Sequence, residues 1–136
     1  MFELLEHTAD IGFRARGRTA AELFENAAAA MVSVAIELDD ISPSEGYPLS
    51  ASGADYESLL VNWLSEVLYW VDGKQAGFRE FRVGEITPTS VSGVGRGEPR
   101  DPARHRAKLI VKGVTYHQLK ITQSPEGWMC EVFLDI

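Results

Sequence analysis

Ile11-Gly12-Phe13-Arg14-Ala15-Arg16-Gly17-Arg18-Thr19-Ala20-Ala21-Glu22-Leu23-Phe24 holds the transition that decides the fold class. Ile11, Phe13 and Ala15 alternate with Gly12, Arg14 and Arg16, the period-two signature of a half-buried strand, which ends at Gly17. Two residues later the period changes. Thr19 and Glu22 have the spacing of a capping box, and Leu23, Phe24, Ala27, Met31 and Val34 recur along one stripe of a helix. A strand that feeds directly into an amphipathic helix places both on one core.

Working outward, the turn-rich stretch 39–48 breaks that helix, and Tyr47, Leu49 and Ala51 suggest a short strand after it. Asp55 stands where a helix cap is needed. Leu59, Leu60, Trp63, Leu64, Val67, Leu68 and Val71 form a broad apolar face, and Asp72-Gly73 ends it. The spacing predicts helices over 20–36 and 55–71. From Phe78 onward the pattern becomes short strands at 81–86, 91–94, 109–111, 114–121 and 128–134. Between the second and third of these, 95–106 is rich in Gly, Pro and charge and reads as a mobile loop. Neither repeats nor an interdomain linker interrupt the pattern. The expectation is an α+β fold: a single domain over 1–136, with two main helices packed on one face of a largely antiparallel sheet.

The 136 residues are enough for one proper core. No apolar run approaches the roughly 18 to 20 residues of a transmembrane helix, and the Glu3- and Glu6-bearing start lacks the pattern of a signal peptide. The expected location is cytoplasmic, with no membrane contact. The single cysteine, Cys130, excludes an internal disulfide and a multi-cysteine zinc site, and its apolar neighbours mark it as an inert core thiol. A net charge of −7 argues against strong direct binding to a nucleic-acid backbone.

Two acids attract attention. Asp10 opens the first strand of the motif Glu6-His7-Thr8-Ala9-Asp10-Ile11-Gly12. Asp135 closes the last one in Val132-Phe133-Leu134-Asp135-Ile136. Pairing of those strands would bring both carboxylates together beside the carboxyl group of Ile136, a hard-oxygen donor set suited to Ca²⁺ or Mg²⁺, with Mn²⁺ tolerated. Read singly, Asp10 is an ordinary strand-start acid and Asp135 a solvated charge. Trp128, Cys130, Val132 and Leu134 share one face of that last strand, leaving Met129, Glu131, Phe133 and Asp135 on the other. His7, His105 and His117 are too dispersed for a zinc signature, and are assigned either to structure or to a partner contact. Gly93-Val94-Gly95-Arg96-Gly97 lacks the following helix and the Lys-Ser/Thr of a phosphate loop. No serine sits in a Gly-x-Ser-x-Gly elbow, and nothing assembles a nucleophile, base and oxyanion hole.

Six stretches in order resemble the archease family: 6–12; Glu22-Leu23-Phe24-Glu25-Asn26-Ala27-Ala28; 59–69; Gly97-Glu98-Pro99-Arg100-Asp101-Pro102-Ala103-Arg104-His105; 111–117; and the terminal Asp135-Ile136. The resemblance spans essentially the whole chain. It implies a non-catalytic protein cofactor of an RtcB-type RNA ligase. That ligase joins tRNA halves through a guanylylated histidine in its own manganese site. The cofactor promotes guanylylation and multiple turnover, and a chaperone-like role is also ascribed to the family. The resemblance further implies that Asp10, Asp135 and the carboxylate of Ile136 bind a divalent cation, Ca²⁺ first. Two other classes stay open. A metal-dependent hydrolase needs a base or nucleophile beside the acids. A general chaperone needs an exposed apolar patch.

Overall fold

The computed structural model describes residues 1–6 and 10–136, with the side chain of Glu6 excepted. The strand–helix transition falls where the periodicity puts it: β2 covers Asp10–Gly17 and α1 covers Ala20–Ala35. Thr19 caps α1 by accepting from the Glu22 N–H at 3.1 Å. The reciprocal half of the box is displaced by one residue, since Glu22 accepts from the Arg18 N–H at 3.4 Å. The second helix, α2 (Tyr56–Leu68), carries a complete box between Asp55 and Ser58 and runs on into a π-helical turn over Tyr69–Gly73.

The strands divide into two antiparallel sheets rather than forming one. The first has the order β1-β2-β7-β6, with β1 at Phe2–Glu6, β6 at Gly113–Ser124 and β7 at Gly127–Asp135. The second has the order β3-β5-β4, with β3 at Glu45–Ser52, β4 at Ala76–Thr87 and β5 at Ser90–Pro99. Each helix touches both sheets. That is why α1 buries Ala30, Val32 and Ser33 as well as Leu23, Phe24, Ala27, Ala28, Met31 and Val34, around most of its circumference and not along a single stripe. Trp63 of α2 is fully buried against Phe24, and its indole N–H donates to the Phe24 carbonyl at 3.0 Å. The core therefore contains no unmet indole donor.

Several sequence expectations need correction. β1 carries no clear period and was not expected. Residues 109–111 form no strand. Instead this segment is laced to the end of α1, with Lys108 N–H donating to Ala35 O at 2.9 Å and Leu109 N–H to Val34 O at 3.1 Å. Lys108 Nζ also binds Ser33 O at 3.0 Å. A helix without a basic residue in its last turn thus receives a cation from elsewhere in the chain. The stretch 95–106 is not one mobile loop. Its first half is the end of β5, and its second half is pinned to the body by buried groups.

Candidate functional site

β2 and β7 pair antiparallel, and the register sets Asp10 directly opposite Asp135. Phe13, Ala15, Cys130, Val132 and Leu134 are fully buried towards the helices. Strand alternation therefore puts Asp10, Gly12 and Arg14, with Glu131, Phe133 and Asp135, on the opposite, outer face. Directly opposed residues on one face hold their Cβ atoms about 4.5–5.5 Å apart, close enough for two carboxylates to share a ligand. Asp10 is half-buried, Asp135 is exposed and Ile136 is half-buried.

The third residue of the row, across β7 from Asp10, is Gly113, which pairs with Asp135 from β6. A Cβ at Gly113 would meet none of the described residues within 4 Å, so among these the flank of Asp135 is open. Lys112 N–H holds the end of β7 by donating to Asp135 O at 2.7 Å. The next row inward is closed by a ring: Phe133 lies across Gly12, where a Cβ would fall 2.7 Å from the ring. One row further, Arg14 donates from Nη2 and Nε to Glu131 at 2.6 and 2.8 Å, and from Nη1 to Glu3 at 2.8 Å. Those carboxylates, Glu131 foremost, raise the Arg14 pKa. The guanidinium nearest in register is thereby committed elsewhere, and an apolar ring stands between it and the aspartates.

Among the described residues no three His, Cys, Asp or Glu side chains cluster as a metal cage. The register brings two side-chain carboxylates into one row. That donor set is all oxygen, which suits a hard cation that keeps part of its water shell.

The three histidines have separate fates. His105 is 4% exposed. Its Nδ1 accepts from the Asp101 N–H at 2.9 Å, so its proton is on Nε2, which donates to Glu98 Oε2 at 2.9 Å. Glu98 also accepts from the Ser42 N–H at 2.9 Å and pairs with Arg104 at 2.7 Å. These donors, the Ser42 N–H first, hold its pKa at about 2. His105 is structural. His117 is exposed, its ring 6.4 Å from that of Phe133, in a bulge of β6 where Gln118 takes φ 55°. It approaches the outer face from the side, through Phe133. His7 lies outside the described residues. Cys130 is buried, and desolvation raises its thiol pKa to about 12, which leaves it inert. The Glu98–Asp101–Arg104–His105 knot was not anticipated. The alternation of acids and bases over eight residues was its only sequence signal.

The whole constellation can be set against known proteins. Residues 2–136 match the Archease protein family (MTH1598/TM1083). The chain belongs to the archease family. It is 42% identical to the protein archease of Methanosarcina barkeri over 99% of this chain and 95% of that one. To the protein archease of Sulfurisphaera tokodaii it is 36% identical, over 99% and 98%. The solution structure of protein 1598 from Methanobacterium thermoautotrophicum superposes with a TM-score of 0.83 at 31% identity, over 99% and 98% of the two chains. The Thermotoga maritima archease, described as a possible chaperone, shares the fold with a TM-score of 0.66 at 20% identity, over 97% and 94%. As an archease-family fold, the two helices on antiparallel sheets are accounted for. No helix among the described residues is long and apolar enough to cross a membrane.

Proposed function

We propose that this chain is a non-catalytic protein cofactor that activates an RtcB-type RNA ligase, and that Asp10, Asp135 and the carboxyl group of Ile136 hold a divalent cation, Ca²⁺ first, at the tip that meets the ligase. The observation that carries the reading is the register of β2 and β7, which sets the two aspartates opposite each other on an outer face whose flank at Gly113 is open among the described residues. Membership of the archease family supports the partner. The donor set fits the ion: hard oxygens, no thiolate, room for water.

Held there, the ion would supply positive charge beside the two aspartates. Asp10 and Asp135 do the positioning, because both sit on paired strands of one sheet and cannot separate without breaking it. Phe133 shuts the site on its inward side, and Lys112 fixes the last turn of chain. A partner that makes no bond in the reaction can accelerate it only by binding one state of the ligase better than another. Differential binding of about 1.4 kcal/mol is a tenfold effect on rate.

The test counts ligation turnovers per ligase molecule at fixed GTP and Mn²⁺, with and without this protein. Multiple turnover with it, and no ligation by it alone, is the expected result. A ligase that stays at single turnover in the presence of the correctly folded protein overturns the reading.

A further inference from the structure

The π-helical turn after α2 and the segment that follows β5 enclose a cavity of about 490 Å³. Arg100, Arg104 and Arg106 all line it, together with Gln75, and Asp72 is its one acidic lining residue. Two of the three guanidiniums are braced. Arg104 pairs with Glu98 at 2.7 Å through Nη2 and with Asp101 at 3.3 Å through Nε. Arg106 binds Asp40 through Nε and Nη2, both at 2.9 Å. None of Glu98, Asp101 and Asp40 lines the cavity. The carboxylates therefore fix the two arginines from outside it and leave part of each five-donor fork unspent. Arg100 has its backbone N–H on Gln75 O at 2.8 Å, and its side chain makes no ion pair among the described residues.

A second, largely apolar recess adjoins the cavity. Arg100 also lines a smaller space of about 90 Å³ beside Leu68, Val71, Leu109 and Ile110. Ile110 is 75% exposed and Leu109 44%. The two spaces share Asp72, Arg100 and Ala107, so cation and apolar wall adjoin across them.

We propose that this cavity is a nucleotide site, with phosphate groups on Arg100, Arg104 and Arg106 and the base against the Leu109–Ile110 wall. Guanidinium forks match phosphate oxygens bidentately, and those held in place beforehand lose less freedom on binding. The volume is in the range of small-ligand sites, about 300–1,000 Å³. A chain of net charge −7 would otherwise repel such a ligand, so a concave cluster of arginines is where it can approach. The site shares no residue with the Asp10–Asp135 pair and stands independently of the ligase reading.

Calorimetric titration of the intact protein with ATP at low ionic strength tests it, with inorganic pyrophosphate and adenosine as separate arms and amide shifts to locate binding. Saturable ATP binding with Kd at or below about 1 mM is expected. The shifts should fall on residues 100–110. The Arg100→Gln variant should bind at least about tenfold more weakly and melt like the parent. Absence of saturation, equal binding by Arg100→Gln, or shifts elsewhere overturns the proposal. Pyrophosphate binding as tight as ATP overturns the nucleotide assignment in favour of a bare oxyanion.

Discussion

Phe133 lies across the backbone of Gly12, so close that a Cβ there would stand 2.7 Å from its ring. The relationship closes the inward side of the row occupied by Asp10 and Asp135, and it ties the geometry of that row to a residue without a side chain. Gly12→Ala should push the ring off the sheet and destabilise the protein by about 1–3 kcal/mol, the usual cost of overpacking. Gly12→Ala combined with Phe133→Leu should recover part of the loss, because the two sites share one contact. Urea unfolding of the three variants measures both effects.

Asp10 and Asp135 stand opposite each other in register. Asp10→Asn and Asp135→Asn each remove one charge from the proposed cation site. In excess Ca²⁺ the parent should gain stability, about 2.7 kcal/mol at a ligand concentration of 100 Kd, and both variants should lose that gain. A fusion at the Ile136 carboxyl should behave like them. Parent-like Ca²⁺ shifts in either variant would remove that aspartate from the proposed site.

Glu98 and Asp40 both have folded-state pKa values of about 2, against ordinary values of 4.5 and 3.8. For Glu98 the leading cause is the Ser42 N–H, and for Asp40 the Arg106 side chain. A depressed carboxylate stabilises the fold above its unfolded pKa and loses that contribution as pH falls towards the folded value. Stability should therefore decline from about pH 4.5 to about pH 2. Glu98→Gln should show a shallower decline, read from urea midpoints across that range. A parent-like slope in this variant would show that Glu98 is not a source of the acid sensitivity.

Cys130 should resist thiol reagents in the folded protein, since burial lifts its pKa to about 12. Reaction with an aromatic disulfide should proceed only as the protein unfolds, giving one thiol per chain in denaturant. Rapid labelling under native conditions would show that the β7 core opens on its own.

The segment after β5 should exchange its amides unevenly. Arg104, His105, Lys108 and Leu109 donate to Asp101, Asp101, Ala35 and Val34, and Arg106 N–H donates to Asp40. These amides should be slow. Ile110 should be fast, being 75% exposed and without an assigned backbone bond. Uniformly fast exchange over 100–109 would restore the picture of a loose loop.

The elements legible in the sequence are those with a period. The stripe from Leu23 to Val34, the apolar face from Leu59 to Val67 and the alternation through Phe13 and Val132 each repeat a local geometry, and α1, α2, β2 and β7 lie where these repeats put them. The capping acid Asp55 could be read for the same reason, since a cap acts within four residues. β1 was illegible because an edge strand with one partner can leave Leu4 45% exposed and still be a strand. The stretch 95–106 misled because glycine in β5 signals a loop locally. There, Gly97 instead permits close approach of the β4 backbone.

The sequence by itself determined the class of the fold, the membership of its motifs in one family and the two acids worth watching. Those depend on residue type and spacing, which short-range geometry carries. Only the tertiary structure decided that Asp10 faces Asp135, that the helices touch two sheets, that His105 is spent on Glu98, and that three arginines share one cavity. Each of these joins residues far apart in the chain. No local period records such a meeting, because it is fixed by which strands pair and in what register.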